Sequence, residues 1–425
     1  MRGRFLLVLL SMLTVSQLVM AQEGYAIFDK ETETLTFTTD ENTPGTKKFP
    51  TTNGPNDSPR WTSVQTEVKK VVFDPSFANV RPSSCSNWFI NFKNLTSITG
   101  LEFLNTENVT SMRNMFIFCR KLQSIDVSGF KTGNVTNMES MFQGCSALRS
   151  LNTTSFKTDK VTSMQYMFKE CYELESLDVS GFNTENVLNM KEMFYACRKL
   201  SIIDVSNFRT EKVTNMKSMF AGCNSVRTLD VSRFETSNVT NMETMFQGCR
   251  LVSCIDASNF NTENVKNMKG MFNGCYNATS INVSSFNTDR ITDMSKMFND
   301  CYALTSIDVS HFNTANVTDF SFIFSACKSL KAIDLKGFNT SNAIYLDGMF
   351  SNCSNLLYLT FGENFITSKY KLKTNPTNNF SGASRLRYLD FYASNDDDAN
   401  TQALSNLDRT ARRTFLTGLP LTTVV

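Results

Sequence analysis

Along most of this chain the order of apolar and polar positions changes period twice in every 26 residues. In LQSIDVSGF, residues 122–130, Ile125 and Val127 alternate with Asp126 and Ser128. That alternation predicts a short strand with one buried face. In VTNMESMF, residues 135–142, the apolar positions Val135, Met138, Met141 and Phe142 fall at i, i+3, i+6 and i+7. This spacing predicts a short helix or 3-10 turns with one face turned inward. Between the two runs lie polar segments such as FKTGN, FNTEN and FETSN, whose Asn and Thr supply a turn.

The same pattern returns on a fixed step. Phe116, Phe142, Phe168, Phe194, Phe220, Phe246, Phe272, Phe298, Phe324 and Phe350 are each 26 residues apart, and the cysteine three residues later keeps that step from Cys119 to Cys353. A period in this range is the mark of stacked repeats. One strand and one helical turn cannot bury their apolar faces alone, but stacked units cover one another. The expected fold is therefore an α/β repeat solenoid, leucine-rich-repeat-like. Short parallel β-strands line one side, short helical or 3-10 segments line the other, and both ends are capped.

The expected division follows from where the pattern starts and stops. Residues 1–21 read as a signal peptide, with a basic MRGR, an apolar core and a cleavage point after Ala21. Their apolar run contains Ser11, Thr14, Ser16 and Gln17 and is shorter than the ~20 residues a membrane span needs. No other segment could span a bilayer as a helix, so after signal cleavage the chain is not expected to be an integral membrane protein. Residues 22–85 hold β-like runs (TLTFTT, KKVVFDP) and are expected to form an N-terminal β-rich cap. The solenoid is expected over 86–391, with ten full units at about 108–357 and degenerate units at both ends. At one end Phe92 takes the cysteine place; at the other Ala383 does. Residues 392–425, with the acidic NDDDANTQ, are expected to be a C-terminal tail or cap.

On these residues the chain resembles a known family. Its L-x-x-L-x-V half looks like a leucine-rich repeat, and its V-T-x-M-x-x-M-F-x-x-C half is similar to the BspA-like family of bacterial surface proteins. The resemblance implies a leucine-rich-repeat fold, a location at the cell surface, and a role in adhesion and surface interaction.

Composition narrows the chemistry. Lys plus Arg number 42 against 40 acidic residues, which gives no reason to expect nucleic acid as a partner. The chain has one histidine, His311, which argues against histidine-based catalysis. There is no G-x-S-x-G, no H-E-x-x-H and no phosphate-cradling glycine loop. No catalytic residue, cofactor or metal site is expected, since a residue repeated on every rung is a poor candidate for a unique catalytic centre.

The repeated columns carry their own alternatives. Seventeen of the 20 methionines occupy the two columns that begin at Met112 and Met115, where flexible side chains suit core filling. The cysteine ladder suits a column of buried thiols. Disulfides between rungs remain open, since Cα atoms of adjacent strands lie at ~4.8 Å. Cys85 and Cys254 stand outside the ladder, and whether they pair is open. The outward Asp of each strand forms the candidate partner-binding stripe: Asp126, Asp178, Asp204, Asp230, Asp256, Asp308 and Asp334. Either the stripe attracts cationic groups, or neighbouring serines and backbone donors hold each carboxylate locally.

The expected function is that of an exported surface protein mediating adhesion or protein–protein interaction through the polar face of its sheet. Its partner would be an extracellular protein or glycoprotein of host matrix, host cell or another microbe. The alternative is a structural coat or spacer without a specific ligand.

Overall fold

The computed structural model describes residues 22–52, 58–365 and 378–391. The expected signal peptide and the tail beyond 391 lie outside them. In the N-terminal part, β1 (Tyr25–Asp29) and β2 (Thr34–Thr38) pair antiparallel, and β3 (Lys47–Pro50) lies on the other side of β1. Strand β4 (Lys70–Phe73) runs parallel to β2, and β5 (Ser97–Thr99) parallel to β4. The five-stranded sheet β3-β1-β2-β4-β5 thus passes from a hairpin into the first degenerate unit.

From there the chain winds as a solenoid. Phenylalanine rings form one continuous column, from Phe89 through Phe116, Phe142 and each later ladder Phe to Phe380. Successive centroids are 5.3–6.1 Å apart and planes lie within 16°. Both degenerate end units contribute a ring. Beneath Phe89 the column meets a knot of aromatics in which Phe37 lies 5.2 Å from Trp61 and 5.5 Å from Trp88. The Met and Cys columns are buried beside the rings. Fully burying one such Phe or Met is worth about 1.5–3 kcal/mol, which a single unit cannot collect without its neighbours.

The strand side is built of short pieces: β6 (Ser150–Leu151) with β7 (Ser176–Leu177), β8 (Cys254–Asp256) with β9 (Ser280–Asn282), and β10 (Ala332–Leu335) with β11 (Tyr358–Phe361) and β12 (Tyr388–Phe391). All these pairs are parallel, with side chains of one repeat column opposite each other. The strands stop early for a local reason. In seven of the units the Asp after the central apolar residue accepts the N–H two residues on, as Asp178 does from Ser180 at 2.9 Å, removing that donor from the ladder.

The helical expectation for the other side is corrected. Among the described residues there is no α-helix, and the 3-10 segments are Arg60–Val64, Pro75–Asn79 and Leu101–Phe103, none of them in an M-x-x-M-F segment. That segment is instead a run of turns. In the unit at 190–197 the N–H groups of Met193, Tyr195 and Cys197 donate back three residues, to Met190, Glu192 and Phe194. The alternate N–H groups, of Met190, Glu192, Phe194 and Ala196, donate to Asn215, Lys217, Met219 and Ala221 of the next unit at 2.7–3.1 Å. A helix would consume those donors internally and leave nothing to join neighbouring coils. Two left-handed residues per unit make this possible, Glu192 at φ 53° and Ala196 at φ 59° here. Each takes the third place of a turn, where a positive φ is required. In the units at 222 and 248 glycine fills the second of these places, at φ 77° and 69°.

Candidate functional site

All seven stripe carboxylates, Asp126, Asp178, Asp204, Asp230, Asp256, Asp308 and Asp334, are exposed and share the outward strand face. Each holds its own turn. Asp178, Asp204, Asp230 and Asp308 accept both the N–H and the hydroxyl of the Ser two residues on, the hydroxyl at 2.6–2.7 Å. Asp126 and Asp256 accept the N–H of Ser128 and Ser258, and Asp334 that of Lys336. The serine hydroxyl first, and the backbone N–H second, hold the carboxyls of Asp126, Asp178, Asp230 and Asp308 below the usual carboxylate range. In every case the bond is to Oδ1, and Oδ2 has no partner among the described residues. The two readings of the stripe are therefore compatible: on each exposed residue one oxygen is structural and the other is without a hydrogen-bond partner among the described residues.

Beside the carboxylates runs a second outward column, of Ser150, Ser176, Ile202, Thr228, Cys254, Ser280, Ser306, Ala332, Tyr358 and Tyr388. It is made of small side chains except at three places. Ile202 is 70% exposed and borders a shallow depression with Asn152, Asp178 and Asp204. Tyr358 and Tyr388 stack at 4.8 Å and are half exposed. The Cys254 thiol accepts the Ser280 hydroxyl at 3.2 Å.

The ladder thiols resolve the choice left open by the sequence. No disulfide joins any described cysteines; from Cys119 to Cys353 each ladder thiol is buried and donates to the carbonyl of the Phe one unit back, as Cys171 does to Phe142 at 3.2 Å. Burial pushes the thiols of Cys145, Cys275 and Cys353 up to about 12, so they are neither nucleophiles nor thiolate ligands. Among the described residues no group of three or more His, Cys, Asp or Glu could hold a metal ion. No described helix is long and apolar enough to cross a membrane.

The corner between the two sides is a second ladder. Thr184 is buried, donates to the Arg209 carbonyl and accepts the Arg209 N–H, both at 2.8 Å, and Thr132, Thr158 and Thr210 likewise donate to the next unit. Asn134, Asn186, Asn238 and Asn264 donate to carbonyls of the unit before. Sequence reasoning missed a third feature, the column directly after the cysteines. There Arg198 lies 4.5 Å over Tyr172, and Arg250, Tyr276, Tyr302 and Lys328 form a continuous stack of cation, two rings and cation. The signal was present in the sequence as Tyr or a basic residue recurring on the repeat step.

This geometry agrees with what the chain is similar to. A family model described as "Mycoplasma protein of unknown function, DUF285" matches residues 83–201, 170–280 and 252–360, more than half of the chain. The chain belongs to this family. The matches walk along the DUF285 solenoid in overlapping steps and take in the ten units on which the BspA-like, leucine-rich-repeat resemblance rests. No curated protein matches. Among solved structures, a leucine-rich cell surface protein from Faecalibacterium prausnitzii is 18% identical, with 92% of this chain and 95% of that one covered and a TM-score of 0.40. A leucine-rich repeat protein from Bacteroides ovatus is 16% identical, covering 87% and 93%, with a TM-score of 0.42. Another, from Eubacterium ventriosum, is 15% identical, covering 84% and 95%, at 0.32.

Proposed function

We propose that this DUF285 chain is a surface-displayed interaction protein whose outward strand face engages an extracellular protein or glycoprotein. The observation that supports this most is the row of exposed carboxylates, one on most rungs, each with one oxygen tied to its own Ser or backbone and the other without a partner among the described residues. Fixing a carboxylate through Oδ1 lowers the entropy lost when Oδ2 meets a partner. Repetition adds a further advantage, because a partner that reaches several rungs gains by effective concentration with no new kind of contact. The N-terminal sheet, on this reading, closes one end of the core, and the preceding residues direct export.

The test is solid-phase binding of the purified chain to extracellular-matrix proteins, beside a variant carrying Asp178→Asn, Asp204→Asn, Asp230→Asn and Asp256→Asn. Binding by the parent that is lost in the variant supports the stripe. Equal binding by both removes the stripe from the account, and no binding by either favours the spacer reading.

A further inference from the structure

The two stacked tyrosine pairs of this protein differ in what covers their outer faces. Tyr276 and Tyr302, 4.6 Å apart, are sandwiched by the protein's own cations, with Arg250 at 5.2 Å and Lys328 at 4.0 Å. Tyr358 and Tyr388 stack as closely, at 4.8 Å with planes 4° apart, but no described Lys or Arg lies over either ring. The parallel register sets Ala332 opposite Tyr358 on the neighbouring rung. One face of Tyr358 is covered by Tyr388, so its other face looks out over a methyl group. On that same rung Asp334 also points outward, two residues on and about 6.6 Å along the strand from Ala332. Asp308 follows in the carboxylate column, and Lys336 lies on the far side of Asp334.

An open π-face, a floor of one methyl group and a carboxylate at its edge together match one chemistry. We propose that Tyr358, Ala332 and Asp334 form a recognition site for the guanidinium or ammonium group of a basic partner polypeptide. The partner's cation takes the place over Tyr358 that Arg250 takes over Tyr276, on the side of the preceding rung, drawn by the ring quadrupole, while its N–H groups reach the Asp334 carboxylate. Arginine suits the site better than lysine, because a flat guanidinium stacks on the ring and still presents its N–H edge to the carboxylate. A neutral sugar could stack on the ring and donate its hydroxyls to Asp334, but it would leave the carboxylate charge uncompensated, which a cation does not. The inference rests on the strand face being the binding face and names the partner chemistry at its C-terminal end.

The test uses the whole chain and a fluorescein-labelled Arg-Gly-Arg-Gly-Arg peptide, with the citrulline analogue as its uncharged counterpart, followed by anisotropy. The charged peptide binds and the citrulline peptide does not. Ala332→Lys covers the open face with an internal cation and weakens binding by about two- to fivefold, as the loss of one exposed cation–π contact implies. Asp334→Asn weakens it as well, Tyr358→Phe leaves it intact, and Asp178→Asn with Asp204→Asn changes nothing. Melting temperatures equal to the parent's show that the variants fold; should Ala332→Lys not fold, the exposed Asp334→Asn carries the test. Equal binding of the citrulline peptide, or binding indifferent to both Ala332→Lys and Asp334→Asn, overturns the proposal. So does displacement of the peptide by a neutral oligosaccharide. If the peptide site fails while the fourfold Asp→Asn variant still loses matrix binding, this inference falls and the strand-face reading stands. The converse pattern removes the extended stripe and leaves this site.

Discussion

The two long sides of the solenoid solve the same stacking problem in different ways. On the turn side of the unit at 190–197, four N–H groups of each coil donate to the next coil, and Phe, Met and Cys lie buried behind them. On the strand side of the same unit, residues 199–206 form no assigned strand, and the Ser206 N–H goes to its own Asp204. One side is committed to holding the stack. The other makes few backbone bonds to the next coil in this unit, so its outward residues can change without removing the bonds that join the coils. The difference teaches that in this repeat the turns are the scaffold, while the strand face, though it carries the leucine-rich-repeat signature, is the less committed side, which suits the interaction role proposed for it.

The comparison is broken most strongly by alkali. The ladder thiols are neutral and buried, with Cys145, Cys275 and Cys353 pushed from 9.0 up to about 12. Between those values the unfolded chain has lost each proton while the folded chain keeps it. The stabilisation is therefore full below pH 9 and falls as pH rises, by about 1.4 kcal/mol per thiol for each pH unit. With ten such thiols, urea midpoints are expected to collapse between pH 9 and 12, and Cys145→Ala to make the slope shallower. Acid should do far less. The depressed carboxyls on the strand face, such as Asp178, contribute stability above 3.8 that is lost as pH falls further, but their exposure to water makes that contribution small.

A smaller effect separates the corner from the strand face. Thr184→Val keeps the shape but leaves the Arg209 N–H and carbonyl without the hydroxyl that now serves both. It should cost about 1–3 kcal/mol in chemical denaturation. Ser180→Ala, which removes only an exposed hydroxyl from Asp178, should cost less than about 0.5 kcal/mol. Smallest of all is a gain. Lys296 is exposed and left-handed at φ 60°, a conformation that costs a side chain about 1 kcal/mol, so Lys296→Gly should stabilise the protein by roughly that amount.

Much of this architecture is legible in the amino-acid pattern. The 26-residue step places Phe, Met and Cys in a shared interior, and the alternation at Ile125–Ser128 puts the aspartates outside. The turn side is harder to read, because Val135, Met138, Met141 and Phe142 have helical spacing, and successive turns place side chains inward at the same intervals. A clue lies in the residue before each cysteine. Gly144, Gly222, Gly248 and Gly274 recur there, and a helix interior gives no reason for repeated glycine whereas a left-handed turn does. The local capture of each Asp by Ser is one of the alternatives that the pattern offers. That it uses a single oxygen is not legible, since spacing carries no information about which lone pairs remain open. The uncovered Tyr358 is hidden for a similar reason: its environment depends on Ala332, which lies 26 residues earlier in sequence and one rung away in space.

Hydrogen exchange within a single unit tests the central claim most directly. The amides of Glu192, Phe194 and Ala196, which reach across to the next coil, should exchange only as slowly as the whole stack opens, whereas those of Ile202 and Asp204, a few residues further on, should exchange orders of magnitude faster. Fast exchange at 192–196 with protection at 202–204 would mean that the strand side holds the coils together, and would contradict the account.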